Sequence, residues 1–527
     1  MATAWWQRGI VYQVYPRSFM DSNGDGVGDL PGITARLDYL AWLGVDAVWI
    51  SPIFASPMLD FGYDVADYRA IDPLFGTLAD FDALLDRAHA LGLKVILDLV
   101  PNHTSHLHAW FQESRASRDN PKRDWYIWRD AKPDGAPPNN WLAYFGGAAW
   151  TWDEATGQYY LHNFLPEQPE LNYRNPEVLA AMQDTIRFWL ARGIDGFRVD
   201  VIDRMMKDRD LRDNPLDERW TEGGNSAHRL KRLYSERAEG IHDLIRQFRS
   251  VFEEFDERVM IGEIDYSTSP EMITSFYGSD SHPYGDEIHL PFNFALCVLP
   301  WTSKAQREFI DAYDASIPPY GWGNYVLGNH DQSRIASKIG PAQARVAAML
   351  LLTLRGTPTL YYGDELGMQD VPLTPEQFRD PQGINLGAAF CRDPQRSPLQ
   401  WDASPKAGFT TGTPWLPFSP DKATANVETQ KADPRSMLSL VRRLIELRRD
   451  DERLLVGAYR PVDAPDGCTV YTRGEVYAVA LNLTGQPQGL ILPRGGEIVL
   501  STHLDRQGDT PALLGLRPNE GVIVRME

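Results

Sequence analysis

Along most of the chain, short β-rich apolar runs alternate with stretches whose apolar residues recur every three or four positions. The runs are IVYQVY from Ile10, DAVWIS from Asp46, KVILDLV from Lys94, GFRVDV from Gly196, VMIGEI from Val259, YVLGNHD from Tyr325 and TPTLYYGDE from Thr357, with HLPFNF from His289 as a weaker eighth. Between the first two, Ile33, Leu37, Leu40 and Leu43 mark one face of a helix, and Gly44 stands where a left-handed cap would end it. Phe81, Leu84, Leu85 and Ala88 repeat the pattern before Gly92, and Leu179, Met182, Ile186, Trp189 and Leu190 repeat it before Gly193. Alternating strands and crossover helices imply a parallel sheet, and eight such units predict an α/β fold, a (β/α)8 TIM barrel. A doubly wound open sheet is the rival, but no GxGxxG follows the first strand.

The alternation breaks twice. Residues 102–175 are rich in Trp, Asn, Pro and Gly and carry little helical pattern. A structureless loop of that length is improbable in a compact domain, so the stretch predicts a small inserted domain after the third strand. The helix from Ser436 to Arg449 is predicted to be the last of the barrel. Beyond Asp451 come short strands with turns (CTVYTR, VYAVALNL, GLILP, GEIVL, GVIVRM), which predict a C-terminal antiparallel β domain. The expected division is therefore barrel at 1–101 and 176–450, insertion at 102–175 and β domain at 451–527.

Composition narrows the function classes. The 527 residues carry 52 Lys and Arg against 72 Asp and Glu, a net charge of −20, which repels phosphate backbones and anionic lipid surfaces. Neither nucleic acid nor membrane is an expected partner, and no window approaches about 18 uncharged apolar residues. The start, MATAWWQRGIVYQVYPRSF, does not have the pattern of a secretory leader. Cys297, Cys391 and Cys468 show no paired spacing, which excludes a disulfide scaffold or a cysteine zinc site and suits a reducing, cytoplasmic location. Aromatic residues reach 11%, and besides filling cores they form flat walls on which sugar rings stack.

The chemistry lies in where the acids fall. Asp98, Asp200, Glu263 and Asp331 all end predicted strands, and in such a barrel the C-terminal strand ends form the active site, so four acids would ring one mouth. Arg198 and Asp200 are two apart, so both point into the barrel. A guanidinium there should lower the pKa of Asp200, which suits a nucleophile or an electrostatic stabiliser. Glu263 follows an apolar run and has no basic neighbour in sequence, so burial should raise its pKa, as a general acid requires. Two carboxylates in opposed environments are what glycosidic bond cleavage needs. Asn329, His330 and Asp331 together could hydrogen-bond sugar hydroxyls.

DLVPNH from Asp98 to His103, GFRVD from Gly196 to Asp200, GE at Gly262–Glu263 and NHD from Asn329 to Asp331 resemble, in order, the four signature regions of the α-amylase superfamily of glycoside hydrolases, glycoside hydrolase family 13. QPELNY from Gln168 resembles the further signature of its oligo-1,6-glucosidase and α-glucosidase branch, with Glu170 where that pattern has Asp. The resemblance implies a retaining mechanism with Asp200 as nucleophile, Glu263 as acid/base and Asp331 as transition-state stabiliser. His103, Arg198 and His330 would bind the glucose ring, together with Gln168. Asp60 and Arg396 would pinch the non-reducing end, with Arg392 as the alternative to Arg396. Tyr63 and Phe164 would be the stacking walls. Such a closed pocket is exo-acting, releasing glucose from maltose-, isomaltose- or sucrose-like substrates without an organic cofactor. Val201 after the nucleophile resembles α-1,6-acting members, whereas RDPQRSPLQWD resembles maltase-type ones; the expectation is α-1,4 ahead of α-1,6. Transglucosylation, which shares the same intermediate, and an oligo-1,6-glucosidase are the alternatives, and a non-catalytic binding relative is the remote one, against which all three carboxylates stand.

DSNGDGVGD places oxygen donors at Asp21, Asn23, Asp25 and Asp29. It begins like an EF-hand loop, but Gly32 stands where the bidentate acid would be, so it is not one. The resemblance implies a structural Ca2+ or Mg2+ in this loop, with the Val27 carbonyl as a further ligand.

Overall fold

In a computed structural model, which describes residues 3–222, 224–264 and 269–527, eight parallel strands form the predicted barrel. They are β1 (Val11–Val14), β2 (Ala47–Ile50), β3 (Lys94–Leu99), β4 (Gly196–Val199), β5 (Val259–Glu263), β6 (Leu290–Phe292), β7 (Asn324–Val326) and β8 (Thr357–Tyr361). The ladder runs β6-β5-β4-β3-β2-β1-β8-β7, and the chain neighbours β6 and β7 meet at the seam of a nearly closed barrel. The weak eighth run from His289 is therefore a true barrel strand.

Period-2 pleating sorts the strand residues. Val11, Ala47, Trp49, Ile96, Val259, Ile261, Leu290, Phe292 and Val326 pack inside the barrel above Trp6 and Trp322. The alternate residues, such as Tyr12, Val48, Leu97, Val199 and Met260, pack outward in the larger core. Gly196 is needed in the wall: a Cβ there would stand 2.2 Å from the Val259 carbonyl of the next strand.

The first three surrounding helices begin at side-chain caps, and the first and third end at the glycines expected of them. In α1 (Leu30–Leu43) the Asp29 side chain accepts from Gly32 N, and Gly44 closes the helix at φ +96°. In α2 (Leu78–Ala90) Thr77 and Asp80 form a capping box. In α3 (Pro176–Arg192) Asn175 caps, Pro176 opens the first turn and Gly193 closes at φ +112°. The others used below are α4 (Ile241–Phe252), α5 (Ser303–Ser316), α6 (Pro341–Thr353) and α7 (Met437–Asp450).

Between β3 and α3 the chain leaves the barrel. It forms a helix at Ala109–Ala116 and a three-stranded antiparallel sheet of Trp128–Arg129, Gln158–Leu161 and Trp150–Asp153. Ile127, Trp141, Ala149, Trp150 and Leu161 give it a small core of its own, which takes two of its tryptophans. After α7, strands Tyr459–Val462, Cys468–Arg473, Tyr477–Asn482, Gly521–Met526, Gly496–Ser501 and Gly508–Thr510 form an antiparallel sheet. Buried Arg473 ties it to the barrel by donating to the Thr353 carbonyl at the end of α6, while Arg448 on α7 donates to the carbonyls of Leu352 and Leu354 at 3.0 and 2.9 Å within the barrel. Among the described residues no helix is long and apolar enough to cross a membrane.

Candidate active site

The pleat that fills the barrel also delivers its acids. Ile96 and Asp98 share the inner face of β3, Arg198 and Asp200 follow Gly196 inward on β4, and Glu263 continues Val259 and Ile261 on β5. Arg198, only 1% exposed, is the hub. Its Nη1 donates to Asp98 Oδ1 at 2.8 Å and to Asp200 Oδ1 at 2.7 Å, and its Nη2 donates to Glu263 Oε2. Glu263 Oε2 also accepts from the Val201 amide at 3.1 Å. Val201 is a β-branched residue held at φ +37°, and backbone strain of this kind gathers at functional sites. Here it aims an amide at the acid.

This arrangement corrects two expectations. Glu263 does have a basic neighbour, brought by the fold from the adjacent strand. And Arg198 does not lower the pKa of Asp200 on balance: burial pushes Asp200 up, Arg198 opposes, and the carboxylates of Glu263 and Asp98 add to the rise. One guanidinium serves three acids, so its effect is divided. Burial likewise pushes Asp98 up to about 6 against the pull of Arg198. Asp200 and Glu263 therefore share one counter-charge, the Arg198 guanidinium.

Asp331 stands across the cavity, in the turn after β7. Burial disfavours its charge, but His330, Arg392 and Arg396 outweigh that and hold the carboxyl well below the usual range. Arg396 donates to Asp331 Oδ1 at 3.0 Å and to the His330 carbonyl at 2.8 Å. Arg392 donates to Asp331 at 3.1 Å, Asp380 at 2.7 Å and Asp60 at 2.8 Å. The pairing of Asp60 with Arg396 is therefore corrected: Arg392 makes it. Arg396 lies deeper, against the rings of Tyr15 and Phe61, and its reach ends on Asp331.

The aromatic walls converge on the same space. Tyr63 stacks on His330 with centroids 5.3 Å apart and planes 8° from parallel, while its hydroxyl donates to Asp98 at 3.0 Å. Phe164, from the insertion, packs on His103 at 5.0 Å and stacks on Tyr144 at 5.2 Å. Gln168 donates to Asp60 at 3.1 Å and to the Tyr63 carbonyl at 3.3 Å. Burial lowers His103 to about 4, so it is neutral at physiological pH.

These residues enclose a cavity of about 790 Å³ lined by Asp60, Tyr63, His103, Phe164, Asp200, Glu263, His330, Asp331 and Arg392. Arg198, Gln168 and Arg396 stand behind that lining. Tyr144, Arg204, Asn225, His228 and Phe390 also line the cavity and escaped the sequence reading. They lie on loops and single 3-10 turns, where neither period marks an inward face. Cys391 lines the cavity as well. His108 is buried outside the site, and its Nδ1 accepts from Trp110 N at 3.1 Å to cap a helix.

In the loop after β1, Asp21 Oδ1 accepts from the amides of Asn23 and Gly24 at 3.0 and 2.7 Å, and Oδ2 from Gly26 at 2.9 Å. Asn23 and Asp25 accept from Asp25 N and Val27 N, both at 2.8 Å, and Asp29 caps α1. The donor set of carboxylate, amide and carbonyl oxygens suits a hard cation in its chemistry. Among the described residues, however, no three His, Cys, Asp or Glu side chains cluster as a metal would gather them.

The catalytic-domain model of the family described as Alpha-amylase matches residues 13–457. A probable alpha-glucosidase of Rhizobium meliloti is 42% identical over 96% of this chain and 96% of its own length. An oligo-1,6-glucosidase of Heyndrickxia coagulans is 38% identical, with both chains fully covered. Among solved structures, the alpha-glucosyl transfer enzyme XgtA superposes with a TM-score of 0.94 at 41% identity, and an E254Q mutant of MutB in complex with sucrose with 0.92 at 35%, each over all of both chains.

Proposed function

We propose that this chain, which belongs to the α-amylase family and is a glycoside hydrolase, is an exo-acting retaining α-glucosidase of short α-glucosides. The observation that carries this reading is the cavity in which Arg198 gathers Asp200 and Glu263 with Asp98, while Asp331 and the bonded pair Asp60 and Arg392 stand in the same lining. The terminal glucose would lie on Tyr63, with its hydroxyls held by His103, His330, Asp331 and Arg392. Asp200 attacks the anomeric carbon while Glu263 gives its proton to the departing glycosidic oxygen. The glycosyl–oxygen bond breaks as the ester to Asp200 forms. Glu263, now a base, takes a proton from water, whose oxygen displaces Asp200 from the same face as the departed aglycone, so the α configuration is retained. Asp331, held ionised by its arginines, stabilises the positive charge that develops on the ring.

Linkage preference is proposed as α-1,4 ahead of α-1,6. Kinetics on maltose, isomaltose and sucrose test it: glucose release with a higher kcat/KM on maltose is expected, and a strong isomaltose preference overturns it. Transglucosylation is the second reading, favoured by the 41% identity and 0.94 TM-score shared with an alpha-glucosyl transfer enzyme. At high substrate concentration, product oligosaccharides outnumbering free glucose would establish it. The free cysteines Cys297, Cys391 and Cys468 support a cytoplasmic setting.

A structural Ca2+ or Mg2+ held by Asp21, Asn23, Asp25, Asp29 and the Val27 carbonyl remains part of the proposal. Chelation is expected to lower Tm by several degrees, reversibly on adding Ca2+, because a cation bound only to the folded state stabilises it by mass action. An unchanged Tm contradicts the site.

A further inference from the structure

The Glu170 that replaces the branch's Asp lies in a buried polar chain that the mechanism above does not use. Glu170, Asn102 and His103 are at most 1% exposed, and Lys207 only 4%. Lys207 forms an ion pair with Glu170 Oε2. Its Nζ also donates to Asn102 Oδ1 at 2.8 Å, while Asn102 Nδ2 donates to Glu170 Oε1 at 2.8 Å. The ammonium therefore holds the amide oxygen and the carboxylate holds the amide nitrogen. Turning the amide over would set NH2 against an ammonium and C=O against a carboxylate, so the two charges allow one orientation.

That orientation reaches the glucose pocket. Asn102 Nδ2 lies 3.1 Å from His103 Nδ1, so Nδ1 must accept. At the other end of the ring, Nε2 lies 3.0 Å from the Tyr63 carbonyl, which can only accept, so Nε2 must donate. Both ends require the same neutral tautomer, with the proton on Nε2; the Gln168 amide nitrogen 3.2 Å from Nε2 spends its two protons on Asp60 and the Tyr63 carbonyl instead.

We propose that the buried Lys207–Glu170 pair is a positioning device that, through the Asn102 amide, fixes His103 as the Nε2–H tautomer and so, by the bond from Nε2–H to the Tyr63 carbonyl, holds its ring in place against the sugar. The assignment of a sugar contact to His103 rests on the function proposed above; the tautomer does not. Removing Lys207 leaves Glu170 buried without its counter-ion, so it takes up a proton. A protonated Glu170 can donate to Asn102 Oδ1, the amide turns over, Nδ1 faces an acceptor, and the ring proton moves from Nε2 to Nδ1.

Selective 15N-histidine labelling reads this directly, with the His103 signals assigned by comparison with His103→Gln. In the wild-type enzyme His103 is expected as the Nε2–H tautomer across pH 6–8. In Lys207→Met it is expected to shift toward Nδ1–H, with kcat/KM on p-nitrophenyl α-glucoside down roughly 10- to 100-fold. Glu170→Gln, which keeps shape but removes the charge, is expected to show a smaller shift the same way. An Nδ1–H tautomer in the wild type overturns the proposal without any variant, and so does an unchanged Nε2–H signal in a folded Lys207→Met. A wild type that releases no nitrophenol from the glucoside would instead defeat the functional reading and leave the tautomer result standing.

Discussion

Asp200→Asn should lower kcat on p-nitrophenyl α-glucoside by about 10,000-fold or more, with substrate binding retained, because it removes the atom that forms the covalent bond. The geometry isolates this effect. Arg198 donates to Asp200 at 2.7 Å, and an amide oxygen can accept the same bond. Arg198 keeps its bonds to Asp98 and Glu263, so the hub stays assembled. Asp331 and its arginines belong to the opposite wall and are untouched. Steady-state kinetics together with a glucose-binding isotherm check the result, and a fully active Asp200→Asn would remove Asp200 from the role assigned to it.

Glu263→Gln should divide substrates by their leaving groups. A glycosidic oxygen of maltose leaves only when protonated, so both halves of the reaction lose their proton carrier and kcat/KM should fall by about 100- to 10,000-fold. Nitrophenolate leaves unaided, so the first half is largely spared and the glucosyl ester on Asp200 accumulates. A burst of nitrophenol followed by slow turnover is the expected trace. Azide, which attacks without a base, should accelerate the slow phase and give an α-glucosyl azide. A uniform loss on both substrates, with no burst and no azide effect, would place the acid/base elsewhere.

The fold was legible because two periods survive in the sequence. Strand runs such as KVILDLV and GFRVDV, helix stripes such as Ile33–Leu37–Leu40 and the cap Gly44 all state their local structure. The same period-2 pleat foretold that Arg198 and Asp200 would share the barrel interior, and the strand ends placed Asp98 and Glu263 at the same mouth. The sequence could not say how charges add up there. From one strand, Arg198 belongs to Asp200; in three dimensions it is divided among three acids, which reverses the expected shift of Asp200 and gives Glu263 a partner. Loop residues were the least legible. Arg392 and Arg396 lie four apart in one irregular segment, and only the fold shows which of them reaches Asp60. Asn225 and His228 come from the long excursion between β4 and α4, where no repeating pattern marks an inward side.

The central claim is retention through a glucosyl ester at Asp200. Its most direct test is proton NMR of p-nitrophenyl α-glucoside hydrolysis, recorded faster than mutarotation. The account predicts that the α-anomer of glucose appears first and the β-anomer only later, as mutarotation proceeds. Initial release of β-glucose would contradict it.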